Sequence, residues 1–179
     1  MADRYAATEK LEAEQELMQL VGFTIGKELF GVDILMVQEI IRAAPITPVP
    51  NSPEFVEGVI NLRGNILPVI DLRKRLSLLS SESDHDDTWI LILDIQNKTT
   101  GFIVDSVTEV IKIQENTIEA PPDIIKAGLE SQYLRGVCDI GAQLLILLDF
   151  KRILLQEEFK KLTSMDEAEG NDQTRSLDG

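Results

Sequence analysis

The residues of this 179-residue chain best equipped for chemistry are one histidine, one cysteine and a pair of similarly placed aspartates. His85 lies among Asp84, Asp86 and Asp87, a mixture of imidazole and carboxylates of the kind that holds a divalent cation. The set has a single imidazole, no second anchor and an acidic loop for a setting, so it reads as solvated loop and no metal site is expected. Cys138 sits in the apolar stretch L-R-G-V-C-D-I with no His or Cys partner nearby in sequence, and reads as a buried thiol rather than a nucleophile. Asp71 and Asp149 have the side chains of an acid/base dyad. Each, however, directly precedes a short basic and apolar run (L-R-K-R-L and F-K-R-I-L), where an aspartate caps a helix start. Gly22, Gly26 and Gly31 are too widely spaced to cradle a phosphate. An enzyme reading therefore has no constellation behind it, and no cofactor is expected.

The elements that carry these residues are strands. L-V-G-F-T-I and L-F-G-V-D-I flank a turn at Gly26, W-I-L-I-L-D-I covers residues 89–95, and a long β-rich run follows from Gly101. Between them A-P-I-T-P-V-P-N-S-P has four prolines, each lacking a donor N–H, which makes it a stiff extended crossover. Ser52 and Pro53 fit the start of a short helical turn. Residues 58–76 then read as a hairpin with its tip at Asn61–Asn65, where Gly64 and Asn65 tolerate left-handed backbone. Arg63 is the odd residue there, a permanently charged planar fork beside an apolar turn. Pro68 places the second strand at an edge or a bulge. The basic residues after Asp71 read as a solvated face, and residues 150–162 as a terminal helix.

The net charge of −14 is concentrated. Residues 1–16 carry −3, residues 77–88 carry −4 and residues 155–179 carry −4. Acidity in tails and one loop opposes contact with nucleic acid and anionic lipid, and no basic stripe interleaved with aromatics exists to bind phosphates. No apolar run approaches the roughly 18 residues of a membrane span, and the N-terminus has no secretory signal pattern. One cysteine excludes an internal disulfide framework and makes a cytoplasmic setting the default.

The chain is internally repeated. G-V-D-I-L-M-V-Q-E-I-I from Gly31 aligns with G-F-I-V-D-S-V-T-E-V-I from Gly101, matching Val37 with Val107 and Glu39 with Glu109. The block from Phe55 aligns with that from Tyr133, matching Gly58 with Gly136 and Asp71 with Asp149. The expected fold is mainly β: two small five-stranded barrels related by duplication around a shared apolar core, with short helices and a C-terminal helix. In residue terms this gives a polar tail over 1–17 and a domain over 18–160. Within the domain, lobe one covers about 18–76, an acidic linker 77–88 and lobe two about 89–160, with strand exchange between lobes left open. An acidic tail covers 161–179.

The blocks F-G-V-D-I-L-M-V-Q-E-I-I, N-S-P-E-F-V-E-G-V-I-N-L-R-G-N-I-L-P-V-I-D-L-R and L-R-G-V-C-D-I-G-A-Q-L-L-I-L-L-D closely resemble the CheW family of bacterial chemotaxis adaptors, from about Met18 to Leu155. The resemblance implies two SH3-like barrels and a non-catalytic adaptor. Its partners would be the regulatory domain of the histidine kinase CheA and the cytoplasmic tips of methyl-accepting chemoreceptors, which recruit it to the inner face of the membrane. It also implies binding roles for Arg63 in N-L-R-G, for Glu39 with its neighbours Val37 and Ile40, for Gly101 and Val107 in a groove between lobes, and for Gly58 at an edge facing the kinase. Arg63 and Glu39 are expected to pair. Two alternatives are an adaptor of the same family in a non-chemotactic pathway, such as twitching motility or biofilm control, and, less favoured, a ligand-binding β-barrel.

Overall fold

The computed structural model describes residues 17–42, 44–78, 87–123 and 131–154. His85, the tails and most of the expected terminal helix lie outside these residues. Among the described residues, ten strands make two five-stranded sheets. In chain order they are β1 (Leu17–Ile25), β2 (Glu28–Asp33), β3 (Val37–Arg42), β4 (Val56–Leu62), β5 (Asn65–Asp71), β6 (Trp89–Ile95), β7 (Lys98–Val104), β8 (Ser106–Gln114), β9 (Leu134–Asp139) and β10 (Leu144–Leu148). Two one-turn helices follow β5 and β10: α1 (Leu72–Arg75) and α2 (Phe150–Ile153).

The first sheet has the order β8-β1-β2-β10-β9 and the second β3-β6-β7-β5-β4. Each sheet thus combines the opening hairpin of one sequence repeat with the last three strands of the other. The chain enters the second sheet through a 3-10 turn at Ile34–Met36, capped by Asp33. It returns to the first at Asp105, between β7 and β8. Both sheets hold one parallel pairing, β2 with β10 and β7 with β5, at matching places in the two orders. The end strands of each sheet, β8 with β9 and β3 with β4, form no ladder, so the SH3-like lobes are open rather than closed barrels.

Burial explains why the central strands read as continuous apolar runs. In β6, Leu91, Leu93 and Ile95 face a core shared by both lobes, while Ile90 and Ile92 fill the interior of the second lobe. In β2, Phe30 and Val32 face the shared core, and Leu29 faces the interior of the first lobe. A strand buried on both faces loses the apolar/polar alternation of a half-exposed one. Phe23 and Phe30 from the first sheet, Phe102 from the second and Phe150 from α2 meet in the shared core, with ring centroids 5.1–6.4 Å apart.

The repeat is visible bond by bond. Asp71 N–H donates to the Phe55 carbonyl and Asp149 N–H to the Tyr133 carbonyl, at 2.9 and 2.8 Å. Asp71 and Asp149 cap α1 and α2 respectively, accepting from Arg73 N–H and Arg152 N–H. The two connections also pair with the strands that follow them, Thr47 with Val59 and Glu119 with Val137.

Several local expectations need correction. Ser52–Glu54 forms no helix; Val56 N–H closes a turn on the Pro53 carbonyl. The hairpin tip is the two residues Arg63 and Gly64, with φ of +53° and +87°, and Asn65 is already in β5. Two positive φ values in a two-residue loop define a type I′ turn, matching the right-handed strand twist. Pro68 is on an inner strand rather than an edge; it lies one pair from a bulge of β4 between Val56 and Gly58, as the other expected setting has it, and β5 meets β7 only from Val69 onward. The basic run after Asp71 is not a solvated face, because Arg73 and Arg75 are buried. Among the described residues, no helix is long and apolar enough to cross a membrane.

Candidate functional site

At the tip of the β4–β5 hairpin the Asn61 side chain accepts the Gly64 N–H at 2.9 Å, fixing the turn. Arg63 is thereby held in left-handed backbone, where Asn, Asp or Gly is the usual occupant and a long side chain gains nothing. Its guanidinium Nη2 donates to Glu39 Oε1 at 2.9 Å. The arginine side chain is 77% exposed and the glutamate 27%. Glu39 is on β3 and the hairpin belongs to β4 and β5, so the ion pair spans the gap between opposite edges of the sheet. It closes, with a pair of charges, a seam that carries no backbone ladder.

The other candidate residues divide. Ile40 is exposed on β3, while Glu39 and Ile41 beside it are half-buried. Ile66, 70% exposed on β5 just past the turn, adds an apolar side chain near Arg63 and was missed in the sequence because it reads as an ordinary strand isoleucine. Val37 and Val107 are half-buried and pack against the shared core from β3 and β8. Gly101 is buried in β7, where an added Cβ would meet Ile90, Ile92 and Val69 inside the second lobe rather than in a groove between lobes. Gly58 is also buried, with a φ of +147°, and an added Cβ would collide with the Thr47 carbonyl. Its repeat partner Gly136 faces Ile118 and the Glu119 carbonyl in the same way. Both glycines let a connection lie against the following strand, so the edge of β4 is covered at Gly58. The structure therefore brings Arg63 and Glu39 together, with exposed Ile40 next to Glu39 on β3 and exposed Ile66 just past the turn on β5, and puts both glycines inside.

The equivalent surface of the first lobe differs. Glu109 takes the place of Glu39, but Gly141 stands where the second lobe has Arg63, and its φ is +102°. An open groove of about 950 Å³ separates β8 from the β9–β10 turn here, with buried Leu29, Ile113 and Cys138 beneath it and exposed Glu109 and Lys112 beside it. Among the described residues, no three His, Cys, Asp or Glu side chains converge as a metal site would require.

A second, buried charge cluster lies beside α1. Arg73 meets Asp71 through Nε at 3.1 Å and Nη2 at 3.2 Å, and Asp105 through Nη1 at 3.3 Å. Burial disfavours its charged form, but the hydrogen bond and charge of Asp71, with the charges of Asp105 and Glu57, outweigh that and raise the arginine above its ordinary pKa.

Comparison with known proteins decides the family. The family model of the CheW-like domain matches residues 19–158. The chain belongs to the CheW-like domain family. It is 34% identical to the chemotaxis protein CheW of Treponema pallidum over 158 residues, covering 87% of this chain and 92% of that one. Against the CheW of Helicobacter pylori it is 33% identical over 152 residues, covering 85% and 90%. The crystal structure of the scaffolding protein TtCheW from Thermoanaerobacter tengcongensis superposes with a TM-score of 0.71 at 36% identity, covering 79% of this chain and 90% of that one. This CheW-like chain accordingly has the two-lobed, mainly β architecture expected of the family.

Proposed function

We propose that this CheW-like chain is a chemotaxis adaptor that couples transmembrane chemoreceptors to the histidine kinase CheA, acting in the cytoplasm and recruited to the membrane through receptors. Its extended likeness to chemotaxis CheW proteins over most of both chains supports the reading. The observation that carries the site is Arg63. A left-handed turn position favours a small polar residue, and the repeat places a glycine at the equivalent point, so the arginine is kept for its side chain. Its pair with Glu39 presents a charged feature beside exposed Ile40 and Ile66, the mixture of apolar contact and polar rim found at protein interfaces. We assign this surface to partner binding. Val37 and Val107, at the margins of the shared core, are assigned a supporting role, and Gly58 and Gly101 act by shaping the strands. No catalytic step is assigned to the chain.

The test is co-sedimentation with receptor-containing membranes and the kinase, with kinase autophosphorylation read in the same sample. Wild type is expected to join the complex and raise kinase activity, and Arg63→Ala to join it at least fivefold less well while keeping a native circular dichroism spectrum. A wild type that neither sediments nor activates refutes the adaptor reading. An Arg63→Ala variant that behaves as wild type refutes the site.

A further inference from the structure

The two lobes meet along two seams related by the repeat, and among the described residues only one of them is fastened by charge. At the second crossing between sheets, Asp105 N–H donates to the Thr24 carbonyl of β1 at 3.0 Å. The Asp105 carboxylate accepts the Gly26 N–H of the β1–β2 turn at 2.6 Å and the Arg73 guanidinium of α1 at 3.3 Å. Thr24 and Ser106 hydroxyls hydrogen-bond alongside. One carboxylate thus joins a turn of the first lobe to a helix of the second. Arg73 is held in place by Asp71, with side chains 4% and 2% exposed.

Two residues further along α1, Arg75 bridges the lobes again. Its guanidinium lies 4.6 Å from the ring of Phe55 and 4.5 Å from that of Tyr133, which are equivalent residues of the two repeats. It donates to the Ile153 carbonyl at 3.3–3.4 Å, and Ile153 is the repeat equivalent of Arg75 itself. The cation is therefore near the pseudo-twofold axis, stacked between an aromatic side chain from each half.

The other seam has none of these groups. Leu35, 88% exposed, occupies the position equivalent to Asp105, and α2 carries exposed Lys151 and buried Ile153 in place of the two arginines. We infer that Asp105, Arg73 and Arg75 fix the angle between the lobes, and so are positioning residues that hold the opposite, unfastened seam and the Arg63 surface in a set relation. Apolar burial in the shared core is non-directional, and a buried ion pair often adds little net stability over an apolar replacement. What charge-assisted hydrogen bonds add is direction.

The first test measures geometry alone. Spin labels on cysteines introduced at Lys27 of the first lobe and at Glu54, in the β3–β4 connection of the second, both exposed and outside the Arg63 surface, report the inter-lobe distance by pulsed electron resonance; the native thiol of Cys138 is buried. Asp105→Asn keeps side-chain shape and removes the charge. The distance distribution is expected to widen at least twofold in Asp105→Asn and in Arg75→Met relative to the labelled parent. An unchanged width, whatever the melting temperature does, overturns the inference, because the groups would then only stabilise. The functional arm rests on the adaptor reading. With Asp105→Asn, affinities for the receptor tip and for the kinase measured separately are expected to stay within twofold, while kinase activation in the ternary complex falls at least fivefold. A widened distribution with full activation overturns the positioning role, whereas loss of binding in the parent protein itself refutes only the adaptor reading.

Discussion

Replacing Gly58 by alanine should be the most disruptive single-carbon change on the second lobe, for a reason unrelated to any partner. The new Cβ would be 2.7 Å from the Thr47 carbonyl carbon and 2.9 Å from Ile46 Cγ2, and closer still to the Thr47 oxygen. Backbone cannot yield as a flexible side chain does, so the crossover has to move by about 1 Å to restore ordinary contact. That shift breaks the reciprocal bonds between Thr47 and Val59, both 2.9 Å long. Two backbone hydrogen bonds are worth roughly 1 kcal/mol each, and a non-glycine residue held at a φ of +147° adds about 1–3 kcal/mol of strain. A loss of about 3–5 kcal/mol follows, against a total of roughly 5–15 kcal/mol for a domain of ordinary size. Urea unfolding followed by Trp89 fluorescence measures it directly. Gly101→Ala is the control: its nearest new contact is the Ile90 side chain at 3.0 Å, without positive φ, and it should lose about 1 kcal/mol, within the usual range for a point substitution. If Gly58→Ala unfolds within 1 kcal/mol of wild type, the close-approach argument is wrong and Gly58 reverts to a candidate contact residue.

Two further substitutions separate stability from assembly. Arg63→Asn places a residue suited to left-handed backbone in the turn and removes a mostly exposed ion pair worth about 0–1 kcal/mol. Its unfolding midpoint should stay level or rise while co-sedimentation with receptor and kinase falls, and a parallel fall in both would tie the arginine to folding instead. Phe102→Ala removes a fully buried ring that meets Phe150 edge-on at 5.1 Å, at a cost of about 3–5 kcal/mol. Because that ring belongs to the core shared by both sheets, fluorescence and far-UV circular dichroism should report one coincident transition, and two separated transitions would show that the lobes fold independently.

Much of the architecture was legible because it rests on local pattern. The alternation of apolar runs and turns located strands such as Trp89–Ile95, and duplicated glycines and aspartates exposed the repeat. The pairing of Arg63 with Glu39 was inferred from sequence and is formed at 2.9 Å. Apart from that pair, which the family resemblance suggested, sequence could not supply what depends on two distant segments meeting. The continuous β-rich run from Gly101 hides a change of sheet at Asp105, because a single bent residue leaves no periodicity signal. The arginines of L-R-K-R-L looked solvated, since charged residues in a short helix usually are. Only the arrival of Asp105, Phe55 and Tyr133 from other elements makes burial of Arg73 and Arg75 tolerable. Gly58 and Gly101 were open to a binding role for a similar reason: a glycine kept for close approach and one kept for a contact look alike until the neighbouring backbone is in view.

The departures from the repeat are more informative than the repeat itself. Duplication explains why two glycines, two capping aspartates and two parallel pairings recur, and none of these distinguishes one lobe from the other. The symmetry breaks at three places: the hairpin tip, with Arg63 against Gly141; the crossing between sheets, with Asp105 against Leu35; and the short helix, with Arg73 and Arg75 against Lys151 and Ile153. At the first, the second lobe closes its hairpin tip onto β3 with a charge pair, while the first lobe leaves a groove. At the other two, one seam between lobes is tied by buried guanidinium groups and the opposite seam exposes a leucine. On the adaptor reading proposed above, two different partners call for two different faces. Substitutions that leave the fold of each half intact while changing charge at its tip and seam give a duplicated scaffold that difference at least structural cost. On this argument, grafting Arg63 onto the first lobe at Gly141 should close its groove against Glu109 and make the two lobes more alike, at the expense of whatever that groove admits.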